Sequence, residues 1–356
     1  MTQHSADSRY AWTRLMATLA LMTIGSSAMY VVAVVLPAVQ AEFGVVRADA
    51  SLPYTLMMVG FGLGGIAMGK LADRWGVMPV VVIGASGLGA GFVVAGLADS
   101  LLGFALAHGL LLGALGSSAT FAPLVADTSM WFVRRRGIAV AICASGNYLA
   151  GAIWPPLVQH FVQEVGWRQT YIGLGLFCVL TMPLLALLLR PRPPVVVATP
   201  LRAGSGVVAA PLPSTRPFGL SLGHAQALLC VAGVACCVAM AMPQVHIVAY
   251  CGDLGYGAAR GAEMLSLMLA CGIVSRLVSG WICDRIGGLR TLLLGSVLQG
   301  LALLLFIPFD GLVSLYVVSA LFGLFQGGIV PSYAIIVREH FPPARSGSRR
   351  PRESIL

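Results

Sequence analysis

Long apolar runs alternate with short polar ones along the whole chain, and that rhythm constrains the fold more than any other feature. Ten runs stand out, at about 13–37, 52–71, 77–98, 101–126, 137–160, 170–190, 222–248, 262–283, 290–308 and 312–337. Each is long enough to cross a hydrocarbon layer about 30 Å thick, which takes about 20 helical residues. Backbone N–H and C=O groups find no water in that layer, so each run must satisfy them internally as a helix. Short alternating segments of the kind that build a membrane barrel do not occur. Composition agrees: 58% of the 356 residues are hydrophobic and 10% are charged, against about a quarter charged in soluble domains. In water such a chain would leave large apolar patches bare. The expected class is an all-α integral membrane protein. The first run follows Arg9 and Arg14 and ends near Val39-Gln40-Ala41, which resembles a small-residue cleavage site. It is longer than the roughly 7–15 apolar residues of a signal peptide, so it is expected to remain as the first helix.

Charge sets the orientation. The formal net charge is +9. The basic residues lie in short clusters between apolar runs, not on one face of a polar domain, which argues against nucleic acid as a partner. With the N-terminus in the cytosol, 18 of the 22 Lys and Arg residues fall in the tails and cytosolic loops. Only Arg47, Arg168 and Arg260 fall in outer loops, and Arg276 falls within a span. That asymmetry predicts a multi-pass protein of the cell membrane, N-terminus inside. The eight cysteines form no CxxC pair and have no histidine at zinc-ligand spacing, so neither a disulfide framework nor a metal site is expected. No Walker loop, HExxH or dinucleotide fingerprint occurs, so no enzyme and no cofactor is expected.

Residues 191–221 hold Pro191, Pro193, Pro194, Pro200, Pro211, Pro213 and Pro217. Proline enforces irregular or extended backbone there. The expected organisation is a six-helix bundle over 1–190, a cytosolic linker over 191–221, a four-helix bundle over 222–338 and a basic polar tail over 339–356.

Two stretches, GKLADRWG at 69–76 and GWICDRIGG at 280–288, close the second helix of each half and lead into a tight turn. Asp73 and Asp284 stand 211 residues apart (284 − 73), which points to an internal repeat of whole bundles. A gate fits their chemistry. Gly69 and Gly280 would let neighbouring helices approach closely. Asp73 can accept from a helix N-terminus, and Arg74 and Arg285 can pair with acids across the interface. The plainer alternative is a polar turn carrying cytosolic charge. Asp127, just before the Arg134–Arg136 cluster, reads as a local charge partner for it or as a further gating residue.

The two stretches resemble the signature loop of the major facilitator superfamily, found between helices 2 and 3 and again between helices 8 and 9. The first copy departs from it, with Val77 and Met78 where a basic pair is usual. WFVRRRGIAVAICASGNYLAG (131–151), VHIVAYCGDLG (245–255) and SRLVSGWICDR (275–285) are similar to the monocarboxylate and oxalate–formate branch. The resemblance implies a two-bundle transporter of twelve helices, usually monomeric, that carries a small organic anion with a proton or a counter-anion. Ten helices are found, and the chain after about Pro343 is too short and too polar to span, so a chain truncated or frame-shifted there is expected. The resemblance also implies that Arg276 binds the substrate carboxylate. Animal carriers of that branch have an Asp one turn earlier, where this chain has Gly272.

The residues support the same focus. An Arg inside a span is costly and marks a pathway or ligand site, and its planar fork suits a carboxylate. The alternative is an Arg that snorkels to the interface. His246 could couple protons or serve only packing, and His224 and Gln226 at the start of the same helix are weaker candidates. Asn147, Tyr148 and Trp154, beside Pro155 and Pro156, could line a cavity or pack helices, as could Tyr30 and Gln326. Residues 151–155 read GAIWP where drug antiporters of the superfamily carry a Gly-Pro pair, which disfavours drug efflux. Efflux, a non-transporting sensor and an inert product remain the alternatives.

Overall fold

A computed structural model describes residues 7–132, 136–191 and 220–330, with 332, 333 and 336. The interior of the proline-rich linker, the 339–356 tail and the cluster Arg134–Arg135 lie outside the described residues. Among the described residues, nine helices are long and apolar enough to cross a membrane: α1 (Arg9–Phe43), α2 (Arg47–Trp75), α3 (Val77–Gly96), α4 (Leu101–Trp131), α5 (Ile138–Val165), α6 (Trp167–Leu187), α7 (Gly223–Asp253), α8 (Ala258–Cys283) and α9 (Gly288–Leu305). A tenth apolar helix, α10, is described over Leu312–Gln326. No strand occurs among the described residues.

Local signals explain where these helices begin and turn. Ser8, Ser100 and Ser221 each accept a backbone N–H of the first turn, at Ala11, Gly103 and His224, which satisfies donors that a helix start leaves unpaired. Turns use glycine where φ is positive. Gly44 (φ 63) follows α1 and Gly255 (φ 80) follows α7; Gly76 (φ 88) follows α2 and Gly287 (φ 85) follows α8. Residues with a Cβ rarely adopt these angles. Each second glycine lies 211 residues after the first, so the spacing seen at Asp73 and Asp284 recurs in the backbone.

Two runs expected to be plain helices are not. The first is interrupted at Ser26 (φ −87, ψ 0). The fourth is wound as a π-helix over Ala107–Ser117. This widened, glycine-rich stretch lies flat on α2, where a Cβ at Gly113 would come 2.5 Å from the Met57 carbonyl. Small residues allow such backbone approach, the main attraction available between helices in lipid.

The first six helices are cross-linked by polar bonds. Arg14 of α1 forms a two-armed ion pair with Asp127 of α4, both bonds 2.9 Å, with both side chains almost fully buried. The guanidinium also lies 4.7 Å from the Trp131 ring centroid and donates to the Leu188 carbonyl after α6. Asp127 is therefore an acid paired with the first helix. Glu42 at the end of α1 accepts from Trp167 (2.5 Å) and Arg168 (2.9 Å) at the start of α6.

α5 and α8 form the seam between the first six helices and the rest. Ser266 donates to the Ala152 carbonyl, Gly151 meets Leu269, Gly272 meets Tyr148, and Arg276 donates to the Ala144 carbonyl. This antiparallel register would place Val140 opposite Gly280. Yet nothing lies within 4 Å of a Cβ built at Gly280, and the same holds at Gly69. The close approach expected at these two glycines is absent among the described residues: each turns its α-carbon to open space. At the opposite end the two sets of helices touch: Leu36 and Ala50 pack on Val245 and Ala249, and Arg47 pairs with Asp253 at 2.6 Å.

Candidate functional site

The site lies where the seam ends. Arg276 is half-buried in α8. Its Nη1 donates to the Ala144 carbonyl at 2.8 Å, its Nε reaches the Gly327 carbonyl at 3.5 Å, and its Cζ sits 4.3 Å from the Tyr148 ring centroid. No carboxylate among the described residues pairs with it. The ring face and the carbonyl dipoles hold the cation in place without neutralising it. A guanidinium carries five N–H donors in a planar fork, so this arrangement keeps an unneutralised fork at the border between buried seam and open space. It can receive an anion bidentately.

Gly272 shapes the same place. A Cβ there would sit 2.6 Å from the Tyr148 ring. The space that a carboxylate side chain would take at this position is filled by Tyr148, so the absence of an acid one turn before Arg276 has a steric counterpart in this chain.

α1 supplies the facing wall. Tyr30 donates to Asn147 Oδ1 at 2.8 Å, and Asn147 Nδ2 donates to Ser26 Oγ at 3.2 Å. That hydroxyl belongs to the residue at which α1 is interrupted. Tyr30 lies within electrostatic reach of Tyr148, Tyr54 and Arg276. Tyr30, Asn147, Tyr148 and Arg276 therefore come together from three helices.

Gln326 of α10 is fully buried, accepts from Gln244 Nε2 of α7 at 2.9 Å, and has no partner for its own Nε2 among the described residues. His246 does not join this cluster. It sits between Val245 and Ala249 at the closed end, within electrostatic reach of Arg47, and its buried Nδ1 has no partner among the described residues. Trp154 donates to the Thr23 carbonyl at 2.9 Å and so ties α5 to α1. Asp73 and Arg74 are exposed and have no ion-pair partner among the described residues. Arg285 stacks 3.5 Å from the Trp281 ring centroid of its own helix. The side chain of Asp284 lies outside the described residues. Sequence reading missed Arg47, Asp253 and Glu42; the signal that could have found two of them is that Asp253 follows Glu42 by the repeat length of 211.

Apolar helices of membrane-crossing length, in two sets that meet along the α5–α8 seam with a half-buried cation on it, define a multi-pass helical membrane protein. The chain belongs to the Major Facilitator Superfamily, whose model matches residues 16–349. It is 29% identical over 263 residues to monocarboxylate transporter 13 of Bos taurus, covering 73% of this chain and 59% of that protein. It is 33% identical over 221 residues to human monocarboxylate transporter 11, covering 60% of this chain and 44% of that one. The chain thus spans less than two thirds of the length of these relatives. Among solved structures, a bacterial homologue of the human lysosomal transporter Spinster in an inward-facing, unoccupied conformation matches with a TM-score of 0.67, covering 94% of this chain and 80% of that one at 16% identity. That likeness concerns the fold.

Proposed function

We propose that this transporter carries a small organic anion, a mono- or dicarboxylate, by alternating access. The observation that carries the reading is Arg276, a half-buried guanidinium without a carboxylate partner among the described residues, seated on Tyr148 at the limit of the α5–α8 seam. A carboxylate is the ligand that a planar, charged fork recognises best, and the named relatives are monocarboxylate transporters. Tyr30, Asn147, Tyr148 and Gln326 line the site around the anion. The helices over 1–190 and 222–338 act as two bundles rocking about this midplane position, joined by a cytosolic linker over 191–221. A proton or a counter-anion energises the cycle, with His246 as the proton-titrating group. Gly69, Asp73, Arg74, Gly280, Asp284 and Arg285 form the latch of the face opposite Arg47, with Asp127 holding the adjoining helix ends. The N-terminus lies in the cytosol of a cell-membrane monomer, as the cationic loops favour.

Uptake of radiolabelled carboxylate into proteoliposomes tests this. Arg276→Ala is expected to lower uptake at least about tenfold, the scale of a lost hydrogen bond to a charged group. Arg276→Lys, which keeps the charge and loses the fork, should fall between. Uptake by Arg276→Ala equal to that of the parent contradicts the reading.

A further inference from the structure

The latch proposed around Gly69 and Gly280 lies at the other end of the helices. We infer that Arg47 and Asp253 form the gate that closes the opposite face, and that the apolar contact of Leu36 and Ala50 with Val245 and Ala249 is the plug it holds. The inference rests on the transport reading for its purpose and on geometry for its location.

Three basic residues lie on this face, and their partners differ. Arg168 is tied to Glu42, with both in the first six helices. Arg260 is tied to Glu263, one helical turn on in α8. Arg47 alone of these three reaches across: it stands at the start of α2, and its Nη2 meets both carboxylate oxygens of Asp253, at the end of α7, at 2.6 Å. Directly beneath, four buried side chains close the gap between α1, α2 and α7. If the helix sets separate on this face, the Arg47–Asp253 bond must break and the plug must come apart. The bonds of Arg168 and Arg260 need not change.

The pair is half-exposed, at 37% and 51%, so its contribution is small and its bond is made and broken cheaply. That suits a gate. Two states only a few kcal/mol apart interconvert readily, and a bond of this size shifts their balance without locking it.

The test reads the plug directly and needs no substrate. Ala249→Cys places a thiol among the plug residues, and its alkylation in detergent-purified full-length protein is followed by mass spectrometry, which separates it from native cysteines. In this background, Arg47→Gln and Asp253→Asn should each raise the rate at position 249 about two- to fivefold, the span an exposed ion pair allows. The reversed pair, Arg47→Asp with Asp253→Arg, should bring the rate back toward the parent's. Glu42→Gln, which breaks the bond inside one helix set, should leave it unchanged. Unaltered rates in both single variants, or a reversed pair as fast as the singles, would overturn the inference. A response as stated alongside normal uptake by Arg276→Ala would leave the gate standing and remove the anion reading; the converse removes the gate alone.

Discussion

Glu42 and Asp253 hold the same place in two repeats, each ending a first helix two residues before a glycine of positive φ. Their partners are not the same. Glu42 binds Trp167 and Arg168 and closes a bond within the first six helices. Asp253 binds Arg47 and closes a bond between the two sets. A repeat therefore fixes where a carboxylate stands, and its neighbours decide whether it builds a rigid body or sets how two bodies meet. The first and seventh helices differ likewise: the most apolar stretch of α1 is 72% buried and that of α7 is 6% buried.

The distinction between bonds within a helix set and contacts between sets is open to experiment. The largest effect is expected at the buried bond within one set. Asp127→Asn leaves Arg14 as a buried, uncompensated charge, which costs about 3–5 kcal/mol. Thermal unfolding in detergent should shift down markedly, whereas alkylation at position 249 should stay at the parent rate while the protein is folded. A faster rate at 249 in folded Asp127→Asn would erase the distinction.

A smaller effect is expected between two glycines of one helix. Gly272→Ala drives a methyl group into the Tyr148 ring, and overpacking of this kind costs about 1–3 kcal/mol. Gly280→Ala meets open space and should change stability by less than about 0.5 kcal/mol. The same unfolding assay checks both, and equal costs would mean that Gly280 is packed as tightly as Gly272.

Much of this was legible in the sequence. Run length and the cost of unpaired backbone in lipid are local properties, so the ten helices and the repeat could be read directly. Arg276 stood out because one cation in an apolar run is conspicuous. The π-helix at Ala107–Ser117 was not legible, since it depends on how the glycines of α4 meet α2. Asp127 was read against its sequence neighbours, whereas its partner, Arg14, is brought to it only by packing. The open space at Gly69 and Gly280 escaped notice for another reason: glycine permits close approach, and the conformation decides whether it is used.

The central claim is that the two ends are unequal: packed at Arg47 and Asp253, unpacked at Gly69 and Gly280. Alkylation of Gly280→Cys against Ala249→Cys in substrate-free protein tests it most directly. A buried thiol reacts only through a minor state populated at about 10% or less, so Cys at 280 should react at least about tenfold faster than Cys at 249. Equal rates, or a faster reaction at 249, would contradict the account.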